Sequence, residues 1–301
     1  MGLLAALGNV IVPVLVVAGA GFVLGRIWPL DGGTIGKIAL YALTPALCLD
    51  VLLTTEVSGQ VGVTLVAAYV VVSLLGAAIA GVLTPGVAGR TRRAVMASVA
   101  ISNSGNMGLP IALFALGQAG FEQSVLMFLA SVVLGFIVGP LLFGSGQGIT
   151  SSLATLAKLP ALWAIALAIL LRLFDWTLPV GLMRGVEMLS DAALPIVLLA
   201  LGVQLGATKT VSFTRPVITA SLVRVIGMPI LSLGLGLLFG LQGVSLQALV
   251  LAGAMPTAVN AFLLALEYKG DVKTVADTVT VSTVLSLVVT VAVTAALPLL
   301  P

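Results

Sequence analysis

What most constrains this chain is a succession of apolar runs separated by short polar breaks. They fall near 9–27, 34–56, 61–84, 94–118, 121–143, 158–174, 186–207, 214–239, 245–267 and 274–299. As helices, runs of roughly 17 to 25 residues match the hydrocarbon core of a bilayer, about 30 Å thick. Only 8% of the residues are charged, against about 25% in soluble domains, so the solvent these runs face is lipid. The expected fold class is therefore an all-α integral membrane protein of ten transmembrane helices. A net charge of +3 does not point to nucleic acid, because the basic residues sit in short breaks with no interleaved aromatics. The lone Cys48 lies inside an apolar run and serves neither a disulfide nor a Cys/His metal site. No basic segment precedes the first run, which is read as an uncleaved helix.

Basic residues set the orientation. Arg26, Lys37, Arg90, Arg92, Arg93, Lys158, Lys209, Arg215, Lys269 and Lys273 fall on one side if the breaks alternate, and only Arg172 and Arg184 on the other. By the positive-inside rule both termini lie outside the cytoplasm. Ten runs divide into five and five, and a duplicated odd-numbered unit must enter the membrane the second time from the opposite side, as an inverted repeat. Proline spacing agrees: Pro13 to Pro160 is 147 positions, Pro45 to Pro195 is 150 and Pro110 to Pro256 is 146. The expected organisation is a first five-helix repeat over 1–144, a cytoplasmic linker over 145–157 and a second repeat over 158–301. Scaffold and transport domains would each draw on both repeats. The glycine-rich GSGQGITSS around the linker is no phosphate loop, since neither a strand nor GK[ST] flanks it.

Two runs are interrupted where helices should be continuous. The fourth carries NSGNMGLP at 103–110, and the ninth carries PTAVN at 256–260. A proline in a helix removes a hydrogen bond and costs about 3 kcal/mol, and a glycine adds about 1 kcal/mol. In hydrocarbon the freed backbone groups find no water, so such breaks survive only when buried in protein or lining a cavity. Matched interruptions in the two halves of a transporter point to its binding site. A half-helix starting near Pro110 presents N–H groups to an anion, while carbonyl ends attract cations. Asn103, Asn106 and Asn260 supply donors and acceptors without fixed charge, suited to a carboxylate or to sodium. The alternative is that they cap broken ends and bind helices together.

NSGNMGLP, the later PTAVNAFLLALEY and LYALTPALCLDVLL in the second run resemble the auxin efflux carrier family, which includes plant PIN carriers and bacterial members known as organic-acid permeases. The resemblance covers essentially the whole chain. It implies two inverted five-helix repeats, akin in fold to bile-acid sodium symporters, with broken helices 4 and 9 crossing at their prolines. It also implies elevator-type movement of a small organic anion, with a homodimer through the scaffold as a candidate assembly. The matching positions are Asn103, Gly105, Asn106, Gly108 and Pro110, with Pro256 and Asn260; Thr257 lies between and joins the expected substrate-binding set. The plant carriers' long central loop, and with it their phosphorylation control, is missing.

Charge inside the membrane is costly, so Asp50, Asp191 and Arg224, all within runs, need partners or a wet cavity. Asp50 and Arg224 fall at similar depths, which permits an ion pair; the functional alternatives are a proton on Asp50 or an anionic substrate drawn to Arg224. Asp191 sits nearer the outer surface. Arg90, Arg92 and Arg93 are read as a topology determinant. No cofactor is expected, and with no histidine in the chain the candidate coupling ions are Na+, through the break, and H+, through Asp50. An enzyme is not expected, because no HExxH, aspartate pair or serine–histidine arrangement occurs. The expected function is an inner-membrane secondary transporter, acting by efflux; the alternatives are an anion channel and a sodium-coupled uptake symporter.

Overall fold

Four prolines each follow a widened helical turn. π-Helical segments Leu7–Ile11, Ala39–Leu43, Ser104–Gly108 and Val223–Gly227 each end two residues before Pro13, Pro45, Pro110 and Pro229. A proline ring collides with the carbonyl four residues back and offers that carbonyl no N–H; widening the turn moves the carbonyl aside. The i−5 hydrogen bonds of the wider turn are present: Val12 N–H donates to Leu7 O, Thr44 N–H to Ala39 O and Met228 N–H to Val223 O. The prolines paired by offset do not share this role, since Pro160 begins a helix and Pro195 lies inside one.

A computed structural model describes residues 3–55, 58–144, 158–207 and 211–301. The described chain is helical apart from short connections and one isolated β-bridge. Its helices are α1 Leu4–Ile27, α2 Gly33–Thr54 and α3 Gly59–Val82, then α4 Gly89–Ala100, α5 Leu109–Phe143 and α6 Pro160–Leu173. α7 Val180–Ala207, α8 Arg215–Leu238, α9 Gly243–Gly253, α10 Val259–Glu267 and α11 Val272–Ala296 follow. Seven helices are long and apolar enough to cross a membrane, and α6 and α9 are apolar but shorter. The stretch Ser104–Phe143 is 40 residues long, about 60 Å at 1.5 Å per residue and twice the hydrocarbon thickness. Gly117 divides it with φ 68°, a left-handed turn open to glycine at no steric cost. The fourth expected run thus begins at Gly89 rather than 94 and turns at Gly117. The expected linker 145–157 lies outside the described residues.

The chain forms two compact units, Met1–Val12 with Ser58–Leu153 and Lys209–Pro301, and Pro13–Val57 with Ala154–Thr208. In the second, Gly21 and Gly25 of α1 lie against the backbone of Leu199 and Val203 in α7, and Gly202 and Gly206 of α7 against Ala18 and Phe22 in α1. Reciprocal small residues four apart let two helices approach to backbone contact, the packing favoured where lipid supplies no hydrophobic drive. Leu49 of α2 packs there with Ala168 and Leu171 of α6. Arg172 closes the end of α2, donating from Nη1 to the carbonyls of Leu52 at 2.9 Å and Thr55 at 3.1 Å.

The first unit has an alanine-rich core, Ala77, Ala94, Ala97, Ala100, Ala258, Ala261 and Ala265 meeting Leu134, Val138 and Val279. Small side chains again bring helices close. Here, however, two of the chains meeting are broken.

Candidate functional site

The two breaks lie side by side and satisfy each other. Asn103 N–H donates to Pro256 O at 2.8 Å and Ala258 N–H to Ile101 O at 2.9 Å, making Ser102 and Thr257 an antiparallel bridge. Backbone groups freed from α4–α5 by one interruption are paired with those freed from α9–α10 by the other, the compensation that non-helical backbone at membrane depth requires. Pro256 contributes a carbonyl and has no N–H to leave orphaned.

Helix ends at the breaks converge on one side chain. Arg224, in the π-helical turn of α8, is 1% exposed. Its Nε donates to Met255 O at 2.8 Å and Nη1 to Val99 O at 2.8 Å; Nη2 donates to Ala252 O and Gly253 O, each at 3.1 Å, and lies 3.4 Å from Ser102 Oγ. The last carbonyls of an α-helix are short of intrahelical N–H partners, and a planar fork of five N–H donors meets several at once. Among the described residues its partners are main-chain oxygens and one hydroxyl. Asp50 belongs to the other unit, where it is half-buried, and Asp191 is exposed.

Around the breaks, several polar groups are held by neighbouring residues. Thr257, fully buried, donates from Oγ1 to Ser98 O at 2.8 Å and from its N–H to Ser282 Oγ at 3.1 Å. Tyr69 and Ser104 share a hydroxyl–hydroxyl bond of 3.0 Å. Gly108 N–H donates to Asn103 O at 3.1 Å. Gly105 faces the Phe128 ring, and a Cβ there would stand 2.5 Å from the ring edge. A cavity lined by Ser104, Gly108, Ser124, Met127 and Met255 has about 10 Å³, room for roughly one water and too small for an organic anion.

Of the expected site residues, Asn103, Gly105, Gly108, Pro110, Pro256 and Thr257 are buried at or beside the paired breaks, Asn106 is half-buried and Asn260 is exposed. Asn103 stands out because it is 4% exposed and its Nδ2 has no hydrogen-bond partner among the described residues. A buried unpaired amide costs free energy comparable to a lost hydrogen bond, so this donor is poised for a ligand or a water.

Sequence reasoning missed a ladder on α11. Thr274, Thr278, Ser282, Ser286, Thr290 and Thr294 recur every fourth residue and are all buried; Ser282 reaches the break, and Ser286 Oγ lies 3.7 Å from Met107 Sδ. The period was readable, but a hydroxyl in a lipid-facing helix can bond its own turn, as Thr278 does to Thr274 O at 2.7 Å. Asp277, buried and paired with Lys273 at 3.1 Å, was also missed. Arg90, expected as a topology determinant, also makes structural contacts: Nη2 donates to Lys269 O at 2.6 Å and Gly270 O at 2.8 Å, closing the end of α10. Beside it Asp271 accepts from Thr91 Oγ1 at 2.6 Å and from Thr274. Burial pushes the Asp271 carboxyl up, but the Thr91 and Thr274 hydrogen bonds and nearby Arg90 outweigh it and hold it below the ordinary value. Among the described residues no group of three or more His, Cys, Asp or Glu is placed to hold a metal ion.

Residues 147–294 match a family model described as a membrane transport protein. The chain is 30% identical over 196 residues to an uncharacterized transporter of Methanocaldococcus jannaschii, covering 63% of each. It is 25% identical over 274 residues to an uncharacterized transporter of Methanothermobacter thermautotrophicus, covering 88% of this chain and 89% of the relative. With the uncharacterized transporter YfdV of Escherichia coli K12 it shares 31% identity over 140 residues, 46% of this chain and 44% of that one. The match thus spans less than two thirds of the first relative and most of the second.

Proposed function

We propose that the chain is a member of the auxin efflux carrier family of membrane transporters and a secondary carrier for a small organic anion, with the paired breaks as its cargo site. One observation carries the reading: two interrupted helices from opposite halves of the chain are hydrogen-bonded to each other, and beside the bond a buried asparagine amide is left without a partner. The starts of α5 and α10 offer N–H groups and positive dipole ends to a carboxylate, and Asn103, Asn106 and Asn260 supply orienting hydrogen bonds. The ten-span inverted repeat, with helices 4 and 9 crossing at Pro110 and Pro256, is part of the proposal. So is elevator-type alternating access, in which the unit bearing the breaks moves as a body. Support comes from the composition of both units, each drawn from both halves of the chain.

The proposed location is a bacterial-type inner membrane with both termini outside the cytoplasm, on the strength of ten basic residues against two. An interior-negative potential supplies about 2.3 kcal/mol per charge at 100 mV toward expelling an anion, which favours efflux. Purified protein in liposomes tests the reading with labelled malate, malonate and indole-3-acetate. A carrier gives saturable flux and counterflow for at least one of them; single-channel currents in place of counterflow overturn the proposal.

A further inference from the structure

We infer that Arg224 is the resident counter-cation of the paired breaks, doing with a tethered guanidinium what an inorganic cation would otherwise do at their carbonyl ends. Two helices, α4 and α9, end at the breaks, and two, α5 and α10, begin there. Each end carries roughly half an elementary charge, negative at the carbonyl ends and positive at the N–H ends. The four together sum to about zero. Main-chain oxygens converging from two broken helices are the ligand set with which transporters hold sodium. In this protein Val99 O on one side and Ala252 O, Gly253 O and Met255 O on the other lie 2.8 to 3.1 Å from the nitrogens of one guanidinium.

The single positive charge of Arg224 offsets both carbonyl ends and leaves the two N–H ends uncompensated, beside the unpartnered amide of Asn103. The breaks therefore present about one net positive charge, enough for one anionic group, and need no inorganic cation at their carbonyl ends. This deepens the reading above and rests on it for the sign of the cargo. Arg224 acts here as a positioning residue: among the described residues its polar contacts are carbonyls and one hydroxyl, all on protein atoms.

The test is thermal unfolding of purified full-length protein in choline, potassium and sodium chloride at equal ionic strength. Wild type should melt at one temperature in all three. Arg224→Gln should melt several degrees lower in choline, and sodium or low guanidinium should recover at least half of the loss; Arg224→Lys, which keeps the charge, should lie between and ignore sodium. Should Arg224→Gln fail to accumulate while Arg224→Lys folds, the need for positive charge is met in another form. A sodium-specific rise in the wild-type melting temperature overturns the inference. So does identical behaviour of the Gln and Lys variants, whether both are stable without added cation, both respond to it or both fail to fold. None of these readouts involves the cargo, so a failed organic-anion reading and a failed counter-cation are told apart.

Discussion

The two units hold helices together by opposite means. In the second, α1 and α7 meet because side chains are missing: Gly21, Gly25, Gly202 and Gly206 let backbone touch backbone, and both helices keep their own hydrogen bonds there. In the first, helices meet because backbone hydrogen bonds are missing, and Arg224, Thr257, Ser282 and the pairing of Ile101–Asn103 with Pro256–Ala258 replace them. The first arrangement is satisfied by shape and carries no polar surplus. The second is satisfied by polar groups and, among the described residues, leaves several unpaired, the Asn103 amide at the breaks being one of them.

Substitutions that remove a polar clamp or fill a glycine contact should break this contrast in order of size. Arg224→Met orphans several buried carbonyls at once; at about 1–3 kcal/mol for each buried acceptor left unpaired, the loss should exceed about 3 kcal/mol in denaturant unfolding in detergent. Gly202→Val places a Cβ against Ala18 and within 2.7 Å of Phe22 N, main-chain atoms that cannot rotate away, and should cost about 1–3 kcal/mol. Gly19→Ala, two positions from the Gly21 contact and with nothing within 4 Å, should instead be neutral or stabilising by about 0.5–1 kcal/mol. Equal losses at Gly202 and Gly19 would refute the backbone contact.

Gly105→Ala, in the first unit, has the Phe128 ring as its nearest contact, a side chain that can shift. The cost should be about 1 kcal/mol, with Phe128→Leu restoring it; no rescue would mean that the turn itself demands glycine.

The smallest effect is at the α10–α11 turn. Since the folded-state Asp271 carboxyl lies below its ordinary value of 3.8, its contribution is fully present above that value and lost as the pH falls through the lower folded-state value. Asp271→Asn should flatten the dependence of melting temperature on pH in that acid range and leave the neutral-pH profile parallel to wild type.

Much of this was legible from residue identity. Proline, glycine and asparagine in the middle of apolar runs mark the breaks at 103–110 and 256–260, because hydrocarbon tolerates no casual interruption of a helix. What Arg224 does was not legible, since its partners are main-chain oxygens 28 to 125 positions away and an oxygen of the backbone has no letter in a sequence. An arginine in an apolar run suggests a carboxylate, and the nearest in depth was Asp50. The same holds for Arg90 and Arg172, charges counted for topology that also close helix ends at Lys269–Gly270 and at Leu52 and Thr55. The π-helical turns were not anticipated from the prolines, and only the i−5 bonds show which prolines follow a widened turn.

Whether the paired breaks hold the cargo is tested most directly by counterflow of a transported organic anion through Asn103→Ala and Asn260→Ala in liposomes, with thermal unfolding read in parallel. Removing an amide whose Nδ2 has no protein partner should leave the Asn103→Ala melting temperature near wild type. The account predicts that both variants fold and that counterflow falls at least tenfold, as expected when about 1.4 kcal/mol of binding is lost. Both variants folding with counterflow unchanged would contradict it.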